Sequence, residues 1–174
     1  MTSWSVPSSV KPPAKAINTY RVPADNPKYI AIPAIDVGKT RTIQLGVLAN
    51  GSIAVPDNIY DAGWYGASSK PGQNGAMFVY GHVSSWKANG IFYDLKKLKA
   101  GETVIVTNGA NKVFTYRVIN IKRYAYDKVD MGQVLAPVNP MMAGLNLMTC
   151  AGQIIKGTSE FSERLVVFTS LVSS

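Results

Sequence analysis

The chain has 174 residues and a mass of 18.8 kDa, enough for one domain with a sizeable core. Hydrophobic residues make up 47% and charged ones 16%, which excludes a disordered, solvating chain. Eighteen Lys and Arg against ten Asp and Glu leave +8, a balance that suits anionic surroundings and says nothing about fold. There is one histidine, His82, and one cysteine, Cys150. That excludes an intramolecular disulfide framework and a structural zinc site built mainly from Cys and His.

Residues 1–27 lack an apolar core, and the Ser-, Pro- and Lys-rich stretch Ser3–Lys15 has linker composition. The expected organisation is an N-terminal extension at 1–27 and one domain at 28–174. The longest apolar runs, such as Gly75–Tyr80 and Leu165–Phe168, are strand-sized, far below the roughly 18 residues that span a bilayer. The chain therefore reads as a soluble ectodomain, cut from a longer precursor.

Short apolar runs separated by turn residues follow. Tyr29–Ile35 contains Pro33 and is expected at a sheet edge or a bulge. Thr40–Leu48 alternates and ends at Asn50-Gly51, a turn signal before Ile53–Val55. Ala76–Tyr80 is a continuous apolar strand. Thr103–Thr107 and Lys112–Ile121 flank Asn108–Asn111 as a hairpin. Its second arm sets Phe114, Tyr116, Val118 and Asn120 on one face. Gly144–Cys150 and Leu165–Phe168 complete the strands. Only Ile91–Lys99 has helical spacing, through Ile91, Leu95 and Leu98, with Gly101 as the stop. Seven or eight strands with one small helix predict an all-β sandwich or barrel.

Two of these strands end on the scarce residues. His82 follows Val79-Tyr80-Gly81, where Gly81 permits a turn or a close approach; alone, it reads equally as a strand-end histidine with a satisfied hydrogen bond. Cys150 closes Leu145–Cys150 and alone reads first as a buried structural thiol. Both stand where a strand gives way to a turn, the place at which a barrel rim presents side chains. Thiol catalysis needs a thiolate, a proton carrier and an oxyanion stabiliser. Arg164, opening the last strand, offers a permanent charge and a planar fork of donors, although an arginine there is also an ordinary surface charge.

The segments Tyr80-Gly81-His82, Leu147-Met148-Thr149-Cys150 and Arg164–Phe168 resemble the sortase family of cysteine transpeptidases. Ile32-Pro33-Ala34-Ile35, Gly63-Trp64-Tyr65, Pro71–Gly75, Gly90-Ile91-Phe92-Tyr93 and Gly101-Glu102 agree with it in order, over Tyr29 to Phe168. Gly63-Trp64-Tyr65 and the short loop after Cys150 look most like the class F branch. The resemblance implies an eight-stranded β-barrel with one or two short helices. It also implies attack by Cys150 on the Thr–Gly bond of a Leu-Pro-x-Thr-Gly-like sorting motif, through a thioacyl enzyme. His82 would protonate the departing amine and deprotonate the incoming one, and Arg164 would hold the oxyanion. The implied partners are motif-bearing surface proteins and an amine acceptor such as a peptidoglycan precursor. The implied location is the extracellular face of a bacterial membrane, reached through an N-terminal anchor absent from this chain.

Thr149 matches the family residue that supports substrate positioning or the oxyanion site. Val83, Trp86 and Ile154 lie near the triad in sequence and are candidates for an apolar groove, or equally for ordinary packing. Asn146 departs from the family's threonine and puts strand packing in doubt. The acidic residues are scattered, so no metal site and no cofactor are expected. L,D-transpeptidases, the other cell-wall cysteine enzymes, keep histidine just before cysteine, unlike Met148-Thr149-Cys150. The non-enzyme alternative is a basic β-barrel that binds an anionic wall polymer or a protein. Nucleic acid is not expected, since dispersed charge is the only support for it.

Overall fold

The structure, a computed structural model, describes residues 6–174; the first five residues of the expected N-terminal extension lie outside it. Eight strands close into a barrel in the order β1-β2-β3-β4-β7-β8-β6-β5. They are β1 (Pro27–Ile32), β2 (Val37–Leu45), β3 (Ala62–Tyr65), β4 (Ala76–Gly81), β5 (Thr103–Asn108), β6 (Val113–Ala125), β7 (Gly144–Ile154) and β8 (Phe161–Ser173). The pairs β2–β3 and β4–β7 are parallel and the other six are antiparallel. Two short helices accompany them, α1 (Ala14–Asn18) and α2 (Met131–Val134). Of the all-β sandwich or barrel left open by the strand pattern, the structure is the eight-stranded barrel that the family resemblance implied.

Period-2 alternation sorts the side chains into two layers. The interior holds Met77 and Val79 from β4, Leu145 and Leu147 from β7, Leu165 and Val167 from β8, and Phe114, Tyr116 and Val118 from β6. A buried side chain of this size contributes about 1.5–3 kcal/mol. The opposite faces of β4, β7 and β8 carry Phe78, Tyr80, Met148, Cys150, Val166 and Phe168, and Val134 of α2 packs over them. Cys150 belongs to that second, outer layer.

Three elements differ from their sequence expectation. β1 pairs on both sides, so it is not an edge; a register shift at Ile30/Ile32 supplies the bulge, and Pro33 opens a 3₁₀ turn, where its missing N–H costs nothing. Ile91–Lys99 forms only a 3₁₀ turn at Leu95–Lys97. The Ile91 and Phe92 amides donate to Ile59 and His82 carbonyls instead of starting a helix, and the buried residues Phe92, Leu95 and Leu98 recur every three. In β6 the inward face includes Phe114, Tyr116 and Val118, but a register shift after Val118 leaves Asn120 outside and turns Ile121 toward the core.

Candidate active site

Strand register brings the three candidate residues level with one another. In the antiparallel pair β7–β8, Cys150 stands opposite Arg164, so both side chains lie on the outer face. In the parallel pair β4–β7, Tyr80 stands beside Met148, and extending that register by two residues sets His82 beside Cys150. The Thr149 hydroxyl locks this register by donating to the Gly81 carbonyl at 2.7 Å. His82, Cys150 and Arg164 thus form a row across three neighbouring strands, at the end of the barrel where β4 stops.

Two glycines are steric requirements of that row. A Cβ on Gly81 would lie 2.4 Å from the Phe92 ring, so its smallness serves close approach to the core beneath His82. A Cβ on Gly90 would lie 2.2 Å from the His82 carbonyl oxygen. A side chain at Gly81 would displace the buried Phe92 ring, and one at Gly90 the backbone that carries the imidazole.

Cys150 is half-buried, and its Sγ lies 3.3 Å from the Tyr80 hydroxyl. Burial pushes the thiol up from its ordinary pKa, while the Tyr80 hydrogen bond and the Arg164 charge pull it back; Glu160 adds a smaller upward push. Tyr80 is itself held well above its ordinary value by burial and by Cys150. It therefore keeps its proton and is the donor whenever the sulfur is a thiolate. The same ring meets the His82 imidazole edge-on, with centroids 5.6 Å apart. Tyr80 touches both partners, and among the described residues no hydrogen bond joins His82 to Cys150 directly.

His82 Nε2 lies 2.7 Å from the Pro56 carbonyl. A carbonyl only accepts, so Nε2 carries the proton and Nδ1 is the nitrogen left to gain or lose one. Burial draws the imidazole below its ordinary pKa, and the bond to Pro56 opposes that in part. Arg164 is held on three sides: Nη1 donates to the Phe161 and Glu163 carbonyls at 3.1 and 3.0 Å, and Nη2 pairs with the Glu160 carboxylate. Glu160 stands on the loop between β7 and β8, so that loop orients the guanidinium.

The other sequence candidates lie at varied distances from this row. Thr149 is buried on the inner face, with its hydroxyl committed to Gly81. Val83 is half-buried directly after His82, Trp86 is 83% exposed, and Ile154 is exposed at the end of β7 opposite Phe161. Asn146, on the outer face of β7, donates through Nδ2 to the Val134 and Ala136 carbonyls at 2.8 Å each. It ties the end of α2 to the sheet, which is what the departure from threonine accomplishes here. Tyr80 and Glu160 received no role in the sequence reading. Tyr80 carries a signal in retrospect: it precedes His82 by two and therefore shares its face.

Tyr80→Phe should keep the ring against His82 and remove the one side-chain hydroxyl bonded to Cys150 among the described residues. The thiolate loses a donor, so alkylation of Cys150 by iodoacetamide should shift to higher pH. An unchanged pH profile of alkylation would refute that role.

Comparison with known proteins agrees with the barrel. The sortase domain family matches residues 30–172, and the chain belongs to that family. Its fold is similar to that of sortase A from Corynebacterium diphtheriae, with TM-score 0.63, 22% identity, and coverage of 84% of this chain and 60% of that one. The chain thus spans 60% of the length of that sortase A. It is also similar to sortase C from Streptococcus pneumoniae (TM-score 0.65, 23% identity, 96% and 76% coverage). A sortase D5 transpeptidase from Clostridium perfringens gives TM-score 0.60, 18% identity, and 91% and 86% coverage. No curated protein matches the chain. No helix among the described residues is long and apolar enough to cross a membrane.

Proposed function

We propose that the protein is a cysteine transpeptidase that cleaves a Leu-Pro-x-Thr-Gly-like sorting motif between Thr and Gly and transfers the new carboxyl end to an amine at the cell wall. The observation that carries this reading is the row of His82, Cys150 and Arg164 set level by strand register in a sortase-family barrel. The Cys150 thiolate attacks the threonine carbonyl carbon, and the oxyanion develops beside the Arg164 guanidinium. His82, protonated at Nδ1, gives that proton to the departing glycine amine as the C–N bond breaks and the thioester forms. The neutral Nδ1 then takes a proton from the incoming amine, which attacks the thioester and releases the thiolate. Tyr80 donates to the sulfur while it is a thiolate, before the attack and again after its release. Water in place of the amine gives slow hydrolysis.

Residues 28–174 form the catalytic domain in this reading and residues 1–27 its extension toward an anchor at the outer face of the membrane. The partners are motif-bearing surface proteins and an amine such as a peptidoglycan precursor. Gly63-Trp64-Tyr65 and the short 155–160 loop favour a class F-like member. Thr149 supports the site from beneath, and Val83, Trp86 and Ile154 are candidates to line the path of the Leu and Pro side chains. A panel of sorting-motif peptides mixed with several amines tests the reading. The expected products are Thr–amine ligation products with release of a glycine-led peptide. No Thr–Gly cleavage across the panel, from protein whose Cys150 still alkylates, would overturn it.

The opposed shifts of Cys150 and His82 set the pH dependence of this reaction. With the thiol pKa raised and the imidazole pKa lowered, thiol and neutral imidazole predominate near neutrality. The thiolate–imidazolium form is then a small fraction that stays constant between the two pKa values. kcat/KM should be flat across that interval, fall as pH drops through the lowered imidazole value, and fall again as pH rises through the raised thiol value. A narrow peak near pH 7 would contradict these shifts.

A further inference from the structure

The loop that holds the His82 imidazole is itself held by the N-terminal segment. Pro56 is buried, and its carbonyl accepts from Nε2 of His82 at 2.7 Å. The next three residues bond outward to residues 8–10. The Ser8 amide donates to the Asp57 carbonyl at 2.7 Å, the Ile59 amide to the Ser8 carbonyl at 3.0 Å, and Asn58 Nδ2 to the Val10 carbonyl at 2.8 Å. Ser8 and Asn58 form a parallel bridge, one extra strand position laid on this loop. The far side of His82 is gripped as well: the Ser9 and Ser85 hydroxyls are hydrogen-bonded at 2.8 Å, three residues beyond the imidazole. Farther along, Tyr20 donates to the Thr42 carbonyl at 2.9 Å and Tyr29 to the Ile17 carbonyl, so the segment is fastened to the barrel at both ends.

We infer that Ser8–Val10 is a positioning strap for the proton carrier: it fixes the Pro56–Ile59 loop, that loop fixes Nε2 of His82, and Nδ1 is thereby aimed at the reaction. This rests on the proton-carrier role proposed for His82. A segment with linker composition then has a second task besides tethering, and tension or a partner acting on residues 1–12 would be felt at the imidazole. The groups that titrate around that ring are Tyr80 on its own strand, Cys150 on β7 and the exposed Asp57 beside Pro56. None of them belongs to the strap, so a strap variant changes the position and hydration of His82 without removing a neighbouring charge.

The test uses the full chain, because His82 is the sole histidine and its ring resonances are unambiguous in a proton NMR titration. Ser8→Pro removes the amide that donates to Asp57. Ser9→Ala separately removes the hydroxyl that meets Ser85. Each variant is measured for the His82 titration, the pH dependence of kcat and KM toward a sorting-motif peptide with an amine, and the melting temperature. In Ser8→Pro the His82 titration should move up toward the ordinary histidine value as water reaches the ring. kcat should fall by roughly tenfold with KM little changed, since the lost element is orientation and not binding. Ser9→Ala should move both in the same direction by less, and it decides the matter if Ser8→Pro does not fold. Titrations and pH–rate profiles superimposed on the parent's in folded variants would overturn the strap. If the parent cleaves no sorting peptide, the proposed function fails, yet the titration still decides whether the strap governs His82.

Discussion

Cys150→Ala is expected to abolish cleavage of a Leu-Pro-x-Thr-Gly peptide, a loss on the order of 10⁴-fold or more, with the barrel intact. The thiol is half-buried on the outer face, and among the described residues its Sγ makes one side-chain hydrogen bond, to Tyr80. Removing it leaves the inner packing of Leu147 and Val167 untouched, so the melting temperature should stay close to the parent's. The effect is large because no other thiol exists in the chain to attack the carbonyl. Parallel alkylation separates this from the non-enzymatic alternative: a reagent that modifies Cys150 in the folded parent should block turnover in proportion to modification. Activity persisting in Cys150→Ala would remove the thioacyl intermediate from the mechanism.

Arg164→Ala should lower kcat by about 10²–10³, the cost of losing one oxyanion donor, or about 2.7–4 kcal/mol. Two consequences of the geometry make this variant diagnostic. The guanidinium charge pulls the Cys150 pKa down, so its loss should move thiol alkylation to higher pH in the same direction as Tyr80→Phe. Its Nη1 also ties down the Phe161 and Glu163 carbonyls, and the Glu160 carboxylate is left without its partner. The Glu160 side chain is already 42% exposed beside the arginine, so water can solvate its freed charge and the fold should survive. Arg164→Lys keeps the charge but not the fork of donors. It should recover the alkylation profile better than the turnover. A lysine variant with full kcat would reduce the arginine to a point charge.

Most strands are legible as short apolar runs between turn residues, and β5 and the start of β6 alternate as well. Phe114, Tyr116 and Val118 marked the inward face of β6, and Asn108–Asn111 marked its hairpin, where Asn111 takes a left-handed conformation at φ 66°. β3 left no such pattern: four residues, Ala62-Gly63-Trp64-Tyr65, are too few to alternate, and they were noticed only through family resemblance. The helix expected at Ile91–Lys99 winds as 3₁₀ turns instead, with i→i−3 bonds that let Phe92, Leu95 and Leu98 all face the core at a spacing of three. Pro33 marks an edge or a bulge in the sequence; closing the sheet leaves no edge, and the bulge lies just before it, at Ile30/Ile32.

The triad residues were recognisable as residue types, but their assembly was not a local property. It follows from the parallel register of β4 with β7 and the antiparallel register of β7 with β8, pairings between distant stretches of chain. The supporting residues were hidden for the same reason. Nothing in the composition of Ser8-Ser9-Val10 separates a strap from a linker, because its bonds to the Pro56–Ile59 loop use its own backbone groups, which every residue owns. Asn146 looked like a weakness in β7 and instead secures α2, which its neighbours in sequence do not reveal.

The most direct measurement is intact-protein mass spectrometry of the chain mixed with a sorting-motif peptide and no added amine, quenched in acid. The account predicts a covalent adduct equal in mass to the peptide up to its threonine, less one water, located on Cys150, sensitive to hydroxylamine and discharged by an added amine. A folded protein with reactive Cys150 that releases cleaved peptide without ever carrying this thioester would contradict it.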